Sequence, residues 1–145
     1  MDWLEILVRL GLATGAGMLI GIDREWHQKP AGLRTHMLVS LGAAAVMLVA
    51  LQLDANASRV VQGVVTGIGF IGAGAILHST RHVEGVTTAA SIWTCTMIGL
   101  AAGGGFYKIA AVTLGLTLFA LAGCLLLERA LGTSGKNEHG VNGRD

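Results

Sequence analysis

The chain has 145 residues, of which 52% are hydrophobic and 13% are charged, and its formal net charge is +1. A soluble domain usually carries about 25% charged residues, so this composition excludes an ordinary soluble globule. The small net charge also excludes the broad positive field that nucleic-acid binding requires, and we expect no nucleic-acid partner. Glycine is frequent inside the apolar runs, which is typical of membrane helices whose backbones approach closely.

Five apolar segments predict five membrane-spanning helices. The first has about 19 residues, which at 1.5 Å per residue covers roughly 28 Å, close to the thickness of the hydrocarbon core. We therefore expect an all-α membrane protein, a bundle of five transmembrane helices within residues 1–132, followed by a disordered polar tail at 133–145. The predicted spans are about 4–22, 37–53, 60–77, 89–105 and 109–127.

Positive charge predicts the orientation of the bundle. The N-terminus is acidic, which does not fit a cleaved signal peptide, and basic residues concentrate on one side. We expect the N-terminus outside and the C-terminus in the cytoplasm. The links after the second and fourth spans, on the outer side, hold Arg59 and Lys108. The cytoplasmic side comprises the links after the first and third spans and the tail, which together hold Arg24, Lys29, Arg34, Arg81, Arg129, Lys136 and Arg144.

Glycine spacing in the third span predicts close packing on two sides. Gly63, Gly67 and Gly74 share one helical face, and Gly69 and Gly72 lie on the opposite face. We therefore expect the third span at the centre of the bundle. The same segment contains a G-x-G-x-x-G pattern. It lies in mid-span and follows no strand, so it does not indicate dinucleotide binding.

The first span carries two further glycine pairs, Gly11/Gly15 and Gly17/Gly21. Such pairs serve either a dimer face or packing within one subunit, and packing within one subunit is favoured. Both cysteines fall inside apolar segments, where inert packing is the expected role.

Ionisable side chains of the first span are the next candidates. Glu5 and Arg9 are four residues apart, so they meet on one helix face. An ionisable group inside a span is a functional candidate, whereas an interfacial arginine snorkels towards water. Both interpretations stay open for Arg9, and the interfacial one is favoured for Glu5. If the helix continues one turn past Ile22, Asp23 falls on the same stripe.

The most polar stretch of the first half is Gly21–His36, read as GIDREWHQKPAGLRTH. Asp23 and Glu25 point to different sides of a helix and cannot form one carboxylate cage unaided, although Asp23 and His27 could share a ligand. Mg²⁺ keeps several waters and takes one or two carboxylates. A cytoplasmic contact with Mg²⁺ or phosphate is therefore compatible with Asp23, Glu25 and Glu84 as candidate ligands. A path for ions across one subunit is not visible, and a pore between subunits stays open.

A second polar link, His78–Thr88, lies on the same predicted side. Its Arg81, His82 and Glu84 could pair with charges of the first link. A salt-bridged cluster that fixes helix ends is favoured over a catalytic site, since no nucleophile–base–orienter set and no Cys/His metal spacing are present. We expect no enzymatic activity.

Five blocks of this sequence follow one another and together span most of residues 4–128. They are residues 21–25 (GIDRE), 29–36 (KPAGLRTH), 67–74 (GIGFIGAG), 85–93 (GVTTAASIW) and 98–103 (IGLAAG). In this order and at this spacing they resemble the signature of the MgtC/SapB family of bacterial membrane proteins. Asp23 stands where the family often has Glu, which keeps the carboxylate. The chain also ends soon after the fifth span, without the soluble C-terminal domain of longer members.

The resemblance implies a protein of the bacterial inner membrane that is tied to magnesium limitation and, in pathogens, to virulence through survival inside macrophages. It implies magnesium transport as one activity and restraint of the F-type ATP synthase as an alternative. The missing soluble domain places in doubt any function located there. His36 is a further candidate functional position. By resemblance, the matched polar positions are Arg9, Asp23, Arg24, Glu25, Arg34, Thr35, Thr87, Thr88 and Ser91.

The sequence thus leads to a first hypothesis and two rivals. The first is a non-enzymatic membrane protein of magnesium homeostasis, in which the loops at Asp23–His36 and His78–Thr88 form the working surface. We expect a homo-oligomer in the lipid bilayer. The rivals are a regulator that binds another membrane complex through small-residue faces, and an ion-conducting oligomer with a shared pore.

Overall fold

The protein folds into five α-helices, seen in a computed structural model that describes residues 1–53, 56–77 and 85–130, with the backbone alone for Leu77 and 124–130. The predicted all-α architecture is confirmed, and these ranges contain no strand. Helices α1 to α4 are each long and apolar enough to cross a membrane, and the apolar described part of α5 is Tyr107–Gly123. The predicted tail lies outside the described residues. The helices are α1 (Trp3–Trp26), α2 (Leu33–Gln52), α3 (Ala57–Leu77), α4 (Val86–Gly103) and α5 (Tyr107–Ala130).

Helix α1 continues one turn past Ile22 and ends at Trp26, so it carries the acidic part of the polar stretch on the helix itself. Its last turn closes with a hydrogen bond of 3.0 Å from the backbone N–H of Lys29 to the carbonyl of Arg24. This bond belongs to a Schellman motif, in which the residue just before the N–H donor takes the left-handed conformation. Here that residue is Gln28, with φ 51°. The chain therefore turns sharply and leads directly into α2.

The backbones of α1 and α2 come into direct contact at two glycines. A Cβ atom on Gly21 would lie 2.6 Å from Cα of Leu33, and one on Gly17 would overlap the carbonyl of His36. A real Cβ does not fit at such distances, so both positions require glycine. The predicted packing within one subunit is confirmed for this pair.

Helices α2 and α4 pack in the same way, through a glycine pair that the sequence analysis did not single out. A Cβ atom on Gly103 would lie 2.6 Å from the carbonyl oxygen of Ala44, and one on Gly99 would overlap the carbonyl of Ser40. Helix α2 is therefore packed between the glycine faces of α1 and α4, with almost no side-chain layer between the backbones.

The prediction that the third span lies at the centre is wrong, because α4 occupies that position. Helix α4 contacts each of the other four helices, whereas among the described residues α3 contacts only α2 and α4. In the 18-residue apolar stretch of each helix, 56% is buried inside the protein for α4 and 6% for α3. Small residues make a helix surface approachable, but they do not specify that a helix of the same chain covers it.

Most of the glycines that predicted a central α3 lie against open space. Gly72 alone among them meets a neighbour, with its would-be Cβ 3.6 Å from Cβ of Ala89. The Gly11/Gly15 pair of α1 also lies against open space. No heavy atom lies within 4 Å of a Cβ built at Gly11, Gly15, Gly63, Gly67, Gly69 or Gly74.

We predict that Gly103→Ala lowers the free energy of unfolding by about 1–3 kcal/mol, because the added methyl group overpacks against the α2 backbone. The matched control is Gly115→Ala in α5, where a Cβ meets nothing within 4 Å and the better helix propensity of alanine makes the change neutral or slightly stabilising. Denaturant titration of both purified variants in micelles measures the difference. Equal stabilities would contradict the proposed backbone contact.

Candidate functional site at the Arg24 end

Four of the predicted polar residues are buried at one end of the bundle, which we call the Arg24 end. It comprises the end of α1 and the beginnings of α2 and α4. The imidazole of His36 is fully buried there, Ser91 is 3% exposed, and Arg24 is 3% exposed. Thr88, the fourth, is buried beside Ser91 on α4. Burial of this many polar groups requires that they pair with one another.

His36 links the first turns of α2 and α4. Its Nδ1 lies 2.9 Å from the carbonyl oxygen of Gly32, and its Nε2 lies 3.0 Å from the hydroxyl of Ser91. Because the Gly32 carbonyl only accepts, Nδ1 carries a proton and donates it. The Ser91 hydroxyl is also 2.8 Å from the carbonyl of Thr88. With both side chains buried, this serine–histidine pair has no access for a substrate and acts as a bond between helices.

Arg24 brings a buried positive charge to the same end. Its Nη1 lies 3.9 Å from Oδ2 of Asp23, at the outer limit of an ion pair. Its Nε has no hydrogen-bond partner, and neither does Oδ2 of Asp23. The other carboxylate oxygen of Asp23 is 3.5 Å from Nδ1 of His27. Asp23 therefore keeps one buried acceptor oxygen without a hydrogen bond.

The second carboxylate of the stretch, Glu25, has a different role. Its Oε2 accepts a hydrogen bond of 3.0 Å from the backbone N–H of Leu33, the first residue of α2. A negative charge is favourable there, because the first amides of a helix are unpaired and the helix dipole is positive. A Cβ on Gly32 would overlap this carboxylate. Asp23 and Glu25 thus point to different sides, as the helical spacing predicts.

Several predicted site residues lie on helix ends and not on loops. Arg34, Thr35 and His36 belong to the first turn of α2, and Thr87 and Thr88 belong to the first turn of α4. Arg34 and Thr87 are exposed and Thr35 is half-buried. The predicted working surface therefore consists of helix termini joined by the short turn after Trp26. Glu84 and the rest of the link at 78–84 lie outside the described residues.

Arg9 lies at the opposite end of the bundle, far from this site. Its Nη1 donates a 2.7 Å hydrogen bond to the carbonyl of Gly103, and its Nη2 pairs with Glu5. The guanidinium also lies against Gly105, whose φ of 80° places it in the left-handed region. Arg9 therefore satisfies the C-terminus of α4, where a cation is favourable. Partners within the protein thus hold the guanidinium at a helix end, and both interpretations of Arg9 stay open.

The described residues contain no group of three or more His, Cys, Asp and Glu side chains that could hold a metal ion. The candidate ligands Asp23 and Glu25 do not converge, and the third, Glu84, is not described. The Oδ2 oxygen of Asp23 is itself buried, so a hydrated Mg²⁺, which retains several waters and needs few carboxylates, would meet only the exposed part of this side chain. Metal binding by Asp23, Glu25 and Glu84 stays a prediction.

Four threonine hydroxyls inside the spans form hydrogen bonds within their own helices. Each donates to the carbonyl of the residue four positions earlier, which fixes its orientation and leaves its oxygen able to accept. These are Thr14, Thr94, Thr96 and Thr117, with distances of 2.8, 2.9, 2.9 and 2.7 Å.

Two buried residues of this region were not recognised from the sequence. Ser40 is fully buried and its hydroxyl has no hydrogen-bond partner. Cys95 was expected to be a packing residue, and its thiol lies 3.3 Å from the carbonyl of His36. The spacing of His36, Ser40 and Ala44, each four residues apart, is the signal that could have indicated a close helix contact.

The fold and the polar helix ends define a multi-pass helical membrane protein. The MgtC family model matches residues 10–130, and the chain belongs to this bacterial family. It is 37% identical to SrpB of Synechococcus elongatus, over 88% of this chain and 79% of SrpB. It is 44% identical to YhiD of Escherichia coli K12, named as a candidate magnesium transporter, over 72% of this chain and 54% of YhiD.

A third relative, MgtC of Salmonella typhimurium, is 40% identical over 86% of this chain and 53% of that protein. The chain thus spans about half the length of YhiD and MgtC. No solved structure matches it.

We predict that Ser91→Ala lowers the free energy of unfolding by about 1 kcal/mol, the size of an interhelical hydrogen bond in a membrane. The control is Thr94→Ala, because the Thr94 hydroxyl bonds only its own helix. In a His36→Leu background the Ser91→Ala cost should shrink, since the partner is already gone. Additive costs in this double-mutant cycle would refute the His36–Ser91 bond.

Proposed function

We propose that this chain is a non-enzymatic protein of the bacterial inner membrane that serves magnesium homeostasis by contacting Mg²⁺ at the Arg24 end. Membership of the MgtC family supports this proposal, as does the name of YhiD. The basic residues concentrated in the adjoining links support a cytoplasmic location of that end, with the N-terminus outside.

The observation that carries the proposal is the partly exposed carboxyl group of Asp23. Glu25 and Glu5 each already bond through one oxygen, to the N-terminus of α2 and to Arg9. The Asp23 side chain is 17% exposed, although its Oδ2 is buried beside Arg24. A hydrated Mg²⁺ binds through one or two carboxylates and retained waters, and the exposed part of this side chain is where such a cation would make contact.

Binding at one end is better supported than passage through a single chain. Desolvated ions need rings of carbonyls, hydroxyls or carboxylates along their path, and the described carboxylate side chains lie only near the two ends of α1. A path through one chain would therefore depend on hydroxyls and carbonyls alone, and a path between copies stays open. We accordingly propose that Mg²⁺ binding at this end senses magnesium or regulates the protein. Flux measurements test whether the protein also transports the ion.

We predict that Asp23→Asn weakens Mg²⁺ binding to the purified protein by a large factor and abolishes rescue of a deletion strain in low magnesium. The matched control is Asp2→Asn at the other end of α1, because asparagine preserves helix capping there. Titration calorimetry measures binding, and a dye enclosed in proteoliposomes measures Mg²⁺ entry. Wild-type binding and growth in Asp23→Asn would overturn the proposal, and protein-dependent Mg²⁺ entry would establish transport.

A second candidate function is favoured by the exposed face of α3, which would bind another membrane protein. This face carries Gly63 and Gly67 without neighbours, and Phe70, which is 85% exposed. It also exposes Gln62 and Thr66. Polar groups that face hydrocarbon favour helix association, since lipid offers them no hydrogen bond.

The chemistry of this α3 face suits a second copy of the chain. In a parallel pair, identical residues meet at the same depth in the membrane. The amide of Gln62 and the hydroxyl of Thr66 each donate and accept, so each can pair with its own symmetry mate. A symmetric pair is the commonest oligomer. The same face remains available for a regulatory complex with another membrane assembly, such as the F-type ATP synthase.

We predict that Gly67→Leu reduces self-association, because the leucine side chain separates the two α3 backbones. Gly15→Leu tests the rival open pair of α1, and Gly115→Leu is the control on α5; neither position has a neighbour within 4 Å. Light scattering of the three variants in detergent gives their masses. Loss of the oligomer in Gly15→Leu alone would transfer the interface to α1.

A further inference from the structure

A groove opens between α2 and α3 on the lipid-facing side of the bundle. Its volume is about 350 Å³. The two helices touch less extensively here than α1 with α2 or α2 with α4, and Gly42 contributes no side chain to fill the gap. The walls are Leu38, Gly42 and Val46 from α2 and Val64, Ile68 and Ile71 from α3.

The lining of the groove offers no site for a polar ligand. No charged side chain is present among the lining residues, and the single hydroxyl is that of Thr96. This hydroxyl donates a 2.9 Å hydrogen bond to the carbonyl of Ile92, so its proton is not available. An occupant of the groove therefore needs no hydrogen bonds and gains only van der Waals contact.

The dimensions distinguish a hydrocarbon chain from a helix. Leu38 and Val46 are eight residues apart, so the groove follows the helix axis for about 12 Å. The empty space is about 350 Å³, or 670 Å³ with the part that is open to the surroundings, which over that length gives a mean cross-section of roughly 30–60 Å². A helix with side chains is about 10–12 Å across, which corresponds to roughly 80–110 Å². A second helix is too wide to enter, whereas a single extended hydrocarbon chain has a suitable width.

We propose that this groove binds one acyl chain of a bilayer phospholipid, lying lengthwise between α2 and α3. The groove runs along helices that cross the membrane, so it is parallel to the chains of the surrounding lipids. An unfilled groove would leave its lining without contacts on one side, and the bilayer supplies hydrocarbon to fill it. The bound chain adds contacts where α3 has few of its own.

The test uses the whole protein in vesicles of phosphatidylethanolamine and phosphatidylglycerol that contain a phospholipid with a photoreactive diazirine in its acyl chain. After illumination, mass spectrometry maps the labelled residues. We expect several-fold more label on Val46, Val64 and Ile68 than on Leu12 and Leu19, which are exposed on α1.

The decisive variant is Gly42→Leu, which fills the groove without a backbone clash because a Cβ there meets nothing within 4 Å. It should remove the excess label from the groove, while Gly11→Leu on α1 should leave the excess unchanged. Unfolding midpoints of both variants establish that each remains folded. Equal labelling of groove and α1, or an excess that survives in Gly42→Leu, overturns the proposal. Labelling below that of α1 also overturns it, because protein would then cover the groove.

Discussion

The close backbone contact of α2 with α1 and α4 is the constraint on which the rest of the structure depends. Within a bilayer the apolar side chains gain little by leaving lipid for protein, so association relies on van der Waals packing and a few polar bonds. Gly17 and Gly21 of α1 and Gly99 and Gly103 of α4 bring three backbones together. This proximity also places the His36 imidazole within reach of Ser91 and leaves no room for other side chains between these helices.

The charged residues of this apolar chain are used largely to complete helix ends. Arg9 from α1 reaches the C-terminal carbonyl of Gly103, and Glu25 from the other end of α1 reaches the first amide of α2. Each charge has the sign that the helix dipole favours at that terminus. A terminal group that lacks such a partner is costly where water is scarce. One helix therefore fixes both neighbours. Arg24 and Asp23, whose Nε and Oδ2 have no hydrogen-bond partner, complete no helix end and are exceptions to this pattern.

The sequence predicts the helices well, because long apolar runs and the charged interruption near Asp23 reflect local chemistry. It also predicts that Asp23 and Glu25 diverge, since helical geometry alone decides this. It does not predict the partner of Arg9, which is 94 residues away at Gly103. It misplaces α3, because the spacing of Gly63 and Gly67 is the same whether a helix of this chain, another protein or lipid covers that face. Ser40 is missed because a lone serine in an apolar run is inconspicuous, and only its four-residue spacing from His36 and Ala44 indicates a helix contact.

The arrangement of used and unused polar groups also limits the mechanism. A transporter needs ligands along the membrane normal, and the described carboxylate side chains lie only near the two ends of α1. At one of these ends the partly exposed Asp23 lies beside a buried arginine, Arg24, whose charge opposes tight cation binding. Weak binding of a hydrated divalent cation is what such a pair supports, since the arginine lowers affinity and retained water avoids the cost of dehydration. Weak binding of this kind suits a site that responds to changes in an abundant ion, and α3, which is the least buried helix, is the element through which a response could reach another protein.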